Sequence, residues 1–195
     1  MTAIDLVLHP HPVLRYRSKS IARVDKELKD VVQEMFRIMY AARGVGLAAN
    51  QVAFPVRLFV CNPTGVQDEG PEMVFINPVI TKQKGIDEAE EGCLSLPGVN
   101  ANVKRSKSLW INAYDLEGKE IDTEVNGFLA RIVQHETDHL DGVLFVDRLS
   151  PESARTVATA IDTLVEDHTS RQRTGSLESD AMLMEKTLEW ERKYC

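Results

Sequence analysis

A chain of 195 residues with 43% hydrophobic side chains is long enough to bury one sizeable core. Its formal net charge of -7, from 23 Lys and Arg against 30 Asp and Glu, excludes a general nucleic-acid-reading surface, which needs a clustered excess of cations. No run approaches the roughly 20 apolar residues of a membrane span, the first twelve residues lack secretory-signal character, and Cys61, Cys93 and Cys195 are too scattered for a disulfide framework, so a reducing, cytoplasmic location is expected.

Leu6-Val7-Leu8 leads into His9-Pro10-His11-Pro12, where each proline biases the histidine before it towards extended backbone. Both histidines are expected to be exposed loop residues. From Asp25 to Ala42 the apolar residues Leu28, Val31, Val32, Met35, Phe36 and Met39 recur at helical spacing, which predicts a helix capped by Asp25 with Gly44 just past its end. The following run, Gly44-Val45-Gly46-Leu47-Ala48-Ala49-Asn50-Gln51, permits either close approach of a ligand to the main chain or a tight helix-to-strand turn packed on the core. It lacks the Lys-Ser or Lys-Thr of a phosphate loop and the full dinucleotide fingerprint.

Val56–Cys61, Met73–Ile76, Val79–Thr81, Leu109–Tyr114 and Ile121–Val125 read as short strands, with a turn at Asp115–Gly118. Such strands without regular helical crossovers predict an α+β fold, with short antiparallel sheets packed around a helix. Between the strands, the acidic residues Asp87, Glu88 and Glu90 read as solvated surface. They precede Glu91-Gly92-Cys93-Leu94-Ser95, in which Cys93 beside a glycine is either a metal ligand or a buried structural thiol.

The central helix is predicted over Gln134-His135-Glu136-Thr137-Asp138-His139-Leu140, an H-E-x-x-H pattern preceded by the mostly apolar run Phe128–Val133. On a helix His135 and His139 share one face and converge on a metal, with Glu136 beside them. That is the outline of a hydrolytic centre still needing a third ligand, for which Cys93 is the candidate. Beyond it, Pro151–Asp167 is predicted helical with Val157, Ile161, Leu164 and Val165 on one face. Thr169–Asp180 reads as polar with no packing face, and Ala181–Tyr194 as a last segment that docks, pairs or frays.

In this order the Gly44–Gln51, Glu91–Ser95 and Gln134–Leu140 stretches together resemble peptide deformylase, the family that removes the formyl group from the initiating methionine of new polypeptides. The resemblance covers residues 6–149 and implies a catalytic unit over 1–150 with a C-terminal helical extension over 151–195. It implies Cys93, His135 and His139 as metal ligands around an open fourth position, and Glu136 as general base and acid. Gln51 and the backbone N–H of Leu94 would hold the oxyanion formed when an activated water attacks the formyl carbon. The peptide would lie extended between the main chains at Val45–Gly46 and Gly92. Its methionine side chain would enter a pocket walled by Phe128, Ile132 and His135, and Arg105 stands where the family has a substrate-contacting arginine, with a surface role as the alternative. Fe2+ is the metal the resemblance implies, with Zn2+, Ni2+ and Co2+ as alternatives. The implied partners are N-formyl-methionyl nascent peptides, with transient ribosome association, no nucleic-acid reading and no membrane.

Two departures from the family pattern stand out. His11 precedes Pro12-Val13-Leu14-Arg15 where an acidic residue is usual, and residues 151–195 carry nine Asp or Glu against six Lys or Arg, so the tail is not expected to dock on a ribosome by charge. Two rival readings share the central motif. A zinc endopeptidase of the H-E-x-x-H-x-x-G-x-x-H type matches through Gly142 but meets Phe145 at the last histidine. A purely structural metal site would need a fourth protein ligand, and none is evident.

Overall fold

Helix α1 (Lys26–Ala41) begins where expected, with the Asp25 side chain accepting a hydrogen bond from Leu28 N–H (2.9 Å). Its far end differs in detail. Arg43 (φ 58), not Gly44, takes the left-handed position, and the N–H groups of Arg43 and Gly44 bond back to Tyr40 O and Met39 O at 2.9 and 2.8 Å. Gly44 serves close packing instead, since a Cβ there would stand 2.7 Å from Leu94 Cδ1. The computed structural model to which these distances belong describes residues 4–195.

Past that turn the chain forms strand β1 (Gly46–Ala48), a 3-10 turn (Ala49–Val52) and strand β2 (Leu58–Cys61). Strand β3 (Met73–Lys84) is one continuous element where the sequence suggested two. Asn77 adopts a positive φ of 53° and the register shifts between Ile76 and Val79, so the pairing passes Pro78 as a bulge instead of ending there. The acidic stretch is exposed at Asp87, Glu88 and Glu90, as expected of a solvated surface. It forms strand β4 (Asp87–Cys93), paired in a hairpin with β5 (Leu96–Arg105). Strands β6 (Ser108–Tyr114) and β7 (Glu120–Asn126) follow as a second hairpin closed at Asp115, whose Oδ1 accepts from the N–H groups of Glu117 and Lys119. In β6, Leu109, Ile111 and Ala113 are buried and alternate with less buried residues, the period of a half-buried strand.

The result is an α+β fold of two antiparallel sheets, one ordered β1-β2-β3-β6-β7 and the other the β4-β5 hairpin. Helix α2 (Gly127–Leu140), which carries the H-E-x-x-H pattern, lies between them. On one side its Ala130, Ile132, Val133 and Leu140 join Phe59, Cys61, Phe75, Leu109 and Ile111 of the larger sheet. On the other it meets the hairpin through polar groups: Arg131 donates to Val103 O (2.9 Å) and to Glu91 Oε1 (2.8 Å). A further core forms where Leu96, Val99 and Val103 of β5 meet Leu144, Phe145 and Val157.

Helix α3 (Pro151–Arg173) is longer than the sequence suggested, running through Thr169 to Arg173, and Val165 on its expected inner face is exposed. Helix α4 (Asp180–Tyr194) docks on the body of the protein. Trp190 and Tyr194 set their rings edge-on to Phe54 at 5.0 and 5.6 Å, and the Tyr194 hydroxyl donates to Asp25 Oδ1 (3.0 Å). Near the N-terminus neither expected loop histidine is fully exposed. His9 is half-buried, and His11 is buried because its Nδ1 accepts from Val13 N–H (3.2 Å) and so caps the 3-10 turn Pro12–Arg15.

Candidate active site

Helical geometry puts His135 and His139 on one face of α2 with their rings 5.0 Å apart. Strand geometry puts Glu91 and Cys93, two residues apart on β4, on one face of the hairpin. Helix and strand face each other, so the Cys93 Sγ and one nitrogen of each imidazole lie within 4.8 Å of one another. Cys93 Sγ is 3.2 Å from His139 Nε2. Among the described residues this is the one group of three such side chains close enough to hold a metal ion. One thiolate and two imidazoles, with no fourth protein donor beside them among the described residues, fit a divalent cation with a coordination position left for water or substrate.

Behind the ligand set stands Glu91, 7% exposed, which the sequence reading left without a role. It accepts from His135 Nδ1–H (2.9 Å), from Arg105 Nε and Nη2 (2.9 Å each) and from Arg131 Nη1 (2.8 Å). The bond to His135 fixes that ring's tautomer and turns Nε2 towards Cys93. Burial alone would raise the Glu91 carboxyl, but the hydrogen bonds from His135 and Arg105 outweigh it and hold it well below the usual carboxylate range. For His135, burial opposes the charge while the bonds with Cys93 and Glu91 prevail and raise its pKa to about 10. A cation held by the cluster would take the place of that proton. His139 goes the other way: burial and then the neighbouring His135 lower its pKa well below the ordinary imidazole value, leaving a lone pair available at neutral pH.

Glu136 is 4% exposed and its Oε2 has no hydrogen-bond partner among the described residues. Burial raises its pKa to about 7, with the charge of His135 opposing that shift and Glu91 adding to it. A carboxyl poised there both takes and returns a proton near neutrality. Gln51 is oriented from its own turn. Its Oε1 accepts from Ala48 N–H (2.9 Å), which leaves Nε2 to donate to Ser95 Oγ (3.1 Å) and towards Cys93 Sγ (3.5 Å).

A cavity of about 700 Å³ opens over these groups. Val45, Gly46, Gln51, Gly92, Cys93, Leu94, Phe128, Ile132, His135 and Glu136 all line it, and His139 lies buried beneath. Phe128 is 55% exposed and forms an apolar rim. On either side of the cavity stands a strand with a free edge, because β1 ends the larger sheet and β4 pairs only with β5. The structure does not bring Arg105 there. It is 5% exposed and held between Glu91 and Asp138 on the far side of the hairpin. Phe145, at the position of an endopeptidase's last histidine, is buried and stacks on the His135 ring at 6.2 Å.

A family model described as polypeptide deformylase matches residues 4–155. The chain belongs to the polypeptide deformylase family. A peptide deformylase of Rhodopirellula baltica is 47% identical over 191 residues, 98% of this chain and 95% of that one. A plant peptide deformylase crystal structure is 38% identical with a TM-score of 0.85, covering 92% of this chain and 96% of its own. The deformylase from Thermotoga maritima is 37% identical with a TM-score of 0.72 and is covered completely by 77% of this chain. Among the described residues no helix is long and apolar enough to cross a membrane.

Proposed function

We propose that this chain is a metal-dependent hydrolase that removes the formyl group from the N-terminal formyl-methionine of newly made polypeptides and releases formate. The observation that carries this reading is the convergence of Cys93, His135 and His139 within 4.8 Å at the floor of a cavity flanked by two free strand edges. Those three side chains hold a divalent cation, Fe2+ first and Zn2+, Ni2+ or Co2+ as substitutes, since a mixed thiolate and imidazole set suits all four. When bound, the cation supplies Lewis acidity, polarising the formyl oxygen and acidifying a water.

The protein's own groups do the rest. Glu136 takes the proton of the attacking water and delivers it to the departing amine. Gln51 Nε2–H and the Leu94 N–H donate to the oxygen that becomes negative, and one such donor contributes about 3 kcal/mol of barrier lowering. The free edges at Val45–Gly46 and at Gly92 accept the peptide backbone as an added strand, and Phe128 with Ile132 receives the methionine side chain. The catalytic unit is taken as residues 1–150 with 151–195 as a helical extension, a division supported by the reach of the family match over 4–155. The substrates are nascent chains in the cytoplasm, met during transient encounters with the ribosome.

Anaerobically purified protein incubated with formyl-Met-Ala-Ser should release formate, with about one metal per chain on the same sample. Cys93→Ser should lose both metal and activity. A fully metal-loaded, folded sample that releases no formate would overturn the proposal.

A further inference from the structure

A second cavity, of about 930 Å³, lies on the opposite flank of α2 from the metal centre, between that helix, the segment Arg17–Ser20, β3 and the end of β5. Its charge runs against that of the chain. Arg17, Lys19, Arg57, Lys104, Arg105 and Arg148 line it against only Asp138 and Asp141, whereas the whole sequence carries -7. Asp141 is shared by Arg57 (2.7 Å) and Arg17 (3.7 Å), and Asp138 by Arg105 and Arg148. Lys19 and Lys104 are exposed and within ion-pair distance of no carboxylate among the described residues. Each carboxylate thus already serves two guanidiniums, and the lining retains excess positive charge.

The polar neighbours of the lining do not add to it. Ser18 and Thr137, 3% and 9% exposed, both line this cavity, and the hydroxyl of each is buried without a hydrogen-bond partner among the described residues. Neither hydroxyl oxygen has accessible surface, so both lie behind the cavity wall and the cationic side chains are what face the space. Guanidinium forks and two free ammonium groups around one concave space match a tetrahedral oxyanion with several acceptor oxygens. The geometry points to a phosphate-binding site on this flank, separate from the hydrolytic centre and independent of its chemistry. The ligand class is a phosphate group, whether free or in the backbone of a single-stranded RNA.

The test uses metal-loaded full-length protein and the charge-reversed variant Lys19→Glu/Lys104→Glu, neither position belonging to the metal centre. Inorganic phosphate is titrated calorimetrically, and a fluorescently labelled single-stranded RNA by anisotropy at several salt concentrations. Circular dichroism and formyl-peptide hydrolysis, both expected unchanged in the variant, report the fold. Phosphate binding by the native protein, weakened about tenfold or more in the variant, supports the site with free phosphate as its ligand. RNA binding that inorganic phosphate competes away and that loses about 1.4 units of salt slope in the variant, the share of two single-strand phosphate contacts, supports it with the phosphodiester backbone as the source. No binding of either probe, or binding equal in the native protein and the variant, overturns it.

Discussion

The Glu136 carboxylate packs directly against the backbone of Gly46: a Cβ at Gly46 would lie 2.8 Å from Glu136 Cδ and closer still to its Oε1. Gly46 has no positive φ, so glycine is needed there for space and not for an unusual backbone angle. Gly46→Ala should displace the carboxylate while leaving Cys93, His135 and His139 in place. We expect kcat to fall by about a hundredfold, the cost of a displacement near 1 Å at a reacting group, with metal content unchanged. Loss of metal in this variant would show that the contact shapes the ligand set instead.

Glu136→Gln should keep its metal and lose activity by about 10²–10⁴-fold, because the carboxamide retains the shape of the side chain but cannot take a proton. Steady-state kinetics beside metal analysis decides it. Native turnover in the metal-loaded variant would assign proton transfer to another group.

Glu91 offers a different contrast. Glu91→Gln keeps an acceptor for His135 Nδ1–H and should weaken metal binding by about 10–100-fold, as changes to a ligand's supporting hydrogen bond do. Glu91→Ala strands the buried guanidiniums of Arg105 and Arg131 and should cost about 3–5 kcal/mol of folding stability. Chelator competition reads the first, and denaturant unfolding the second. Equal metal affinity in native protein and Glu91→Gln would remove Glu91 from the centre's support.

For Arg105 sequence and structure lead to opposite expectations. A substrate-contacting arginine would raise KM when changed, but Arg105 is held by Glu91 and Asp138 away from the cavity. Arg105→Gln should therefore lower the unfolding midpoint and metal affinity together and leave KM for formyl-Met-Ala-Ser within about twofold, since no contact with the peptide is lost. A large rise in KM with normal stability would restore the substrate role.

His11 makes stability depend on pH. Its Nδ1 accepts from Val13 N–H and must be unprotonated to do so, and burial first, then the nearby charge of His168, lowers its pKa from 6.5 to about 4. The folded-state value is depressed. The contribution is complete above pH 6.5 and declines as pH falls towards 4, because the unfolded chain takes up a proton that the folded chain does not. His11→Asn, which keeps a short acceptor, should flatten the fall in urea midpoint across that window. Parallel slopes for the two proteins would dissociate His11 from the effect.

Much of the centre is written in local spacing. His135 and His139 are four apart on a helix whose apolar period is plain, and Asp25 marks the start of α1 as a cap should. The β4-β5 hairpin is hidden because β4 carries acidic residues at Asp87, Glu88, Glu90 and Glu91 with only Ala89 between them, so no alternation of apolar residues announces a strand. Glu91 is lost in that same run: its burial comes from Arg105 and Arg131, which lie 14 and 40 residues further along. The spacing of Glu91 from Cys93 was the available clue, since on a strand both face the same way. The burial of His11 is hidden for a similar reason. Pro10 and Pro12 signal an irregular segment, but nothing local shows that an imidazole nitrogen can stand in for the usual acidic cap.

The seat of Tyr194 bears on how the molecule is made. Its ring closes on Phe54, and its hydroxyl reaches the residue that caps the first helix, so a contact spanning 169 positions ties the last helix to the first. During synthesis α1 can wind and the sheets can pair, yet the patch around Phe54 stays wet until the last helix leaves the exit tunnel. Growing polypeptides of this sequence would pass through a stage with that patch bare, and the docking of α4 becomes the step that seals it.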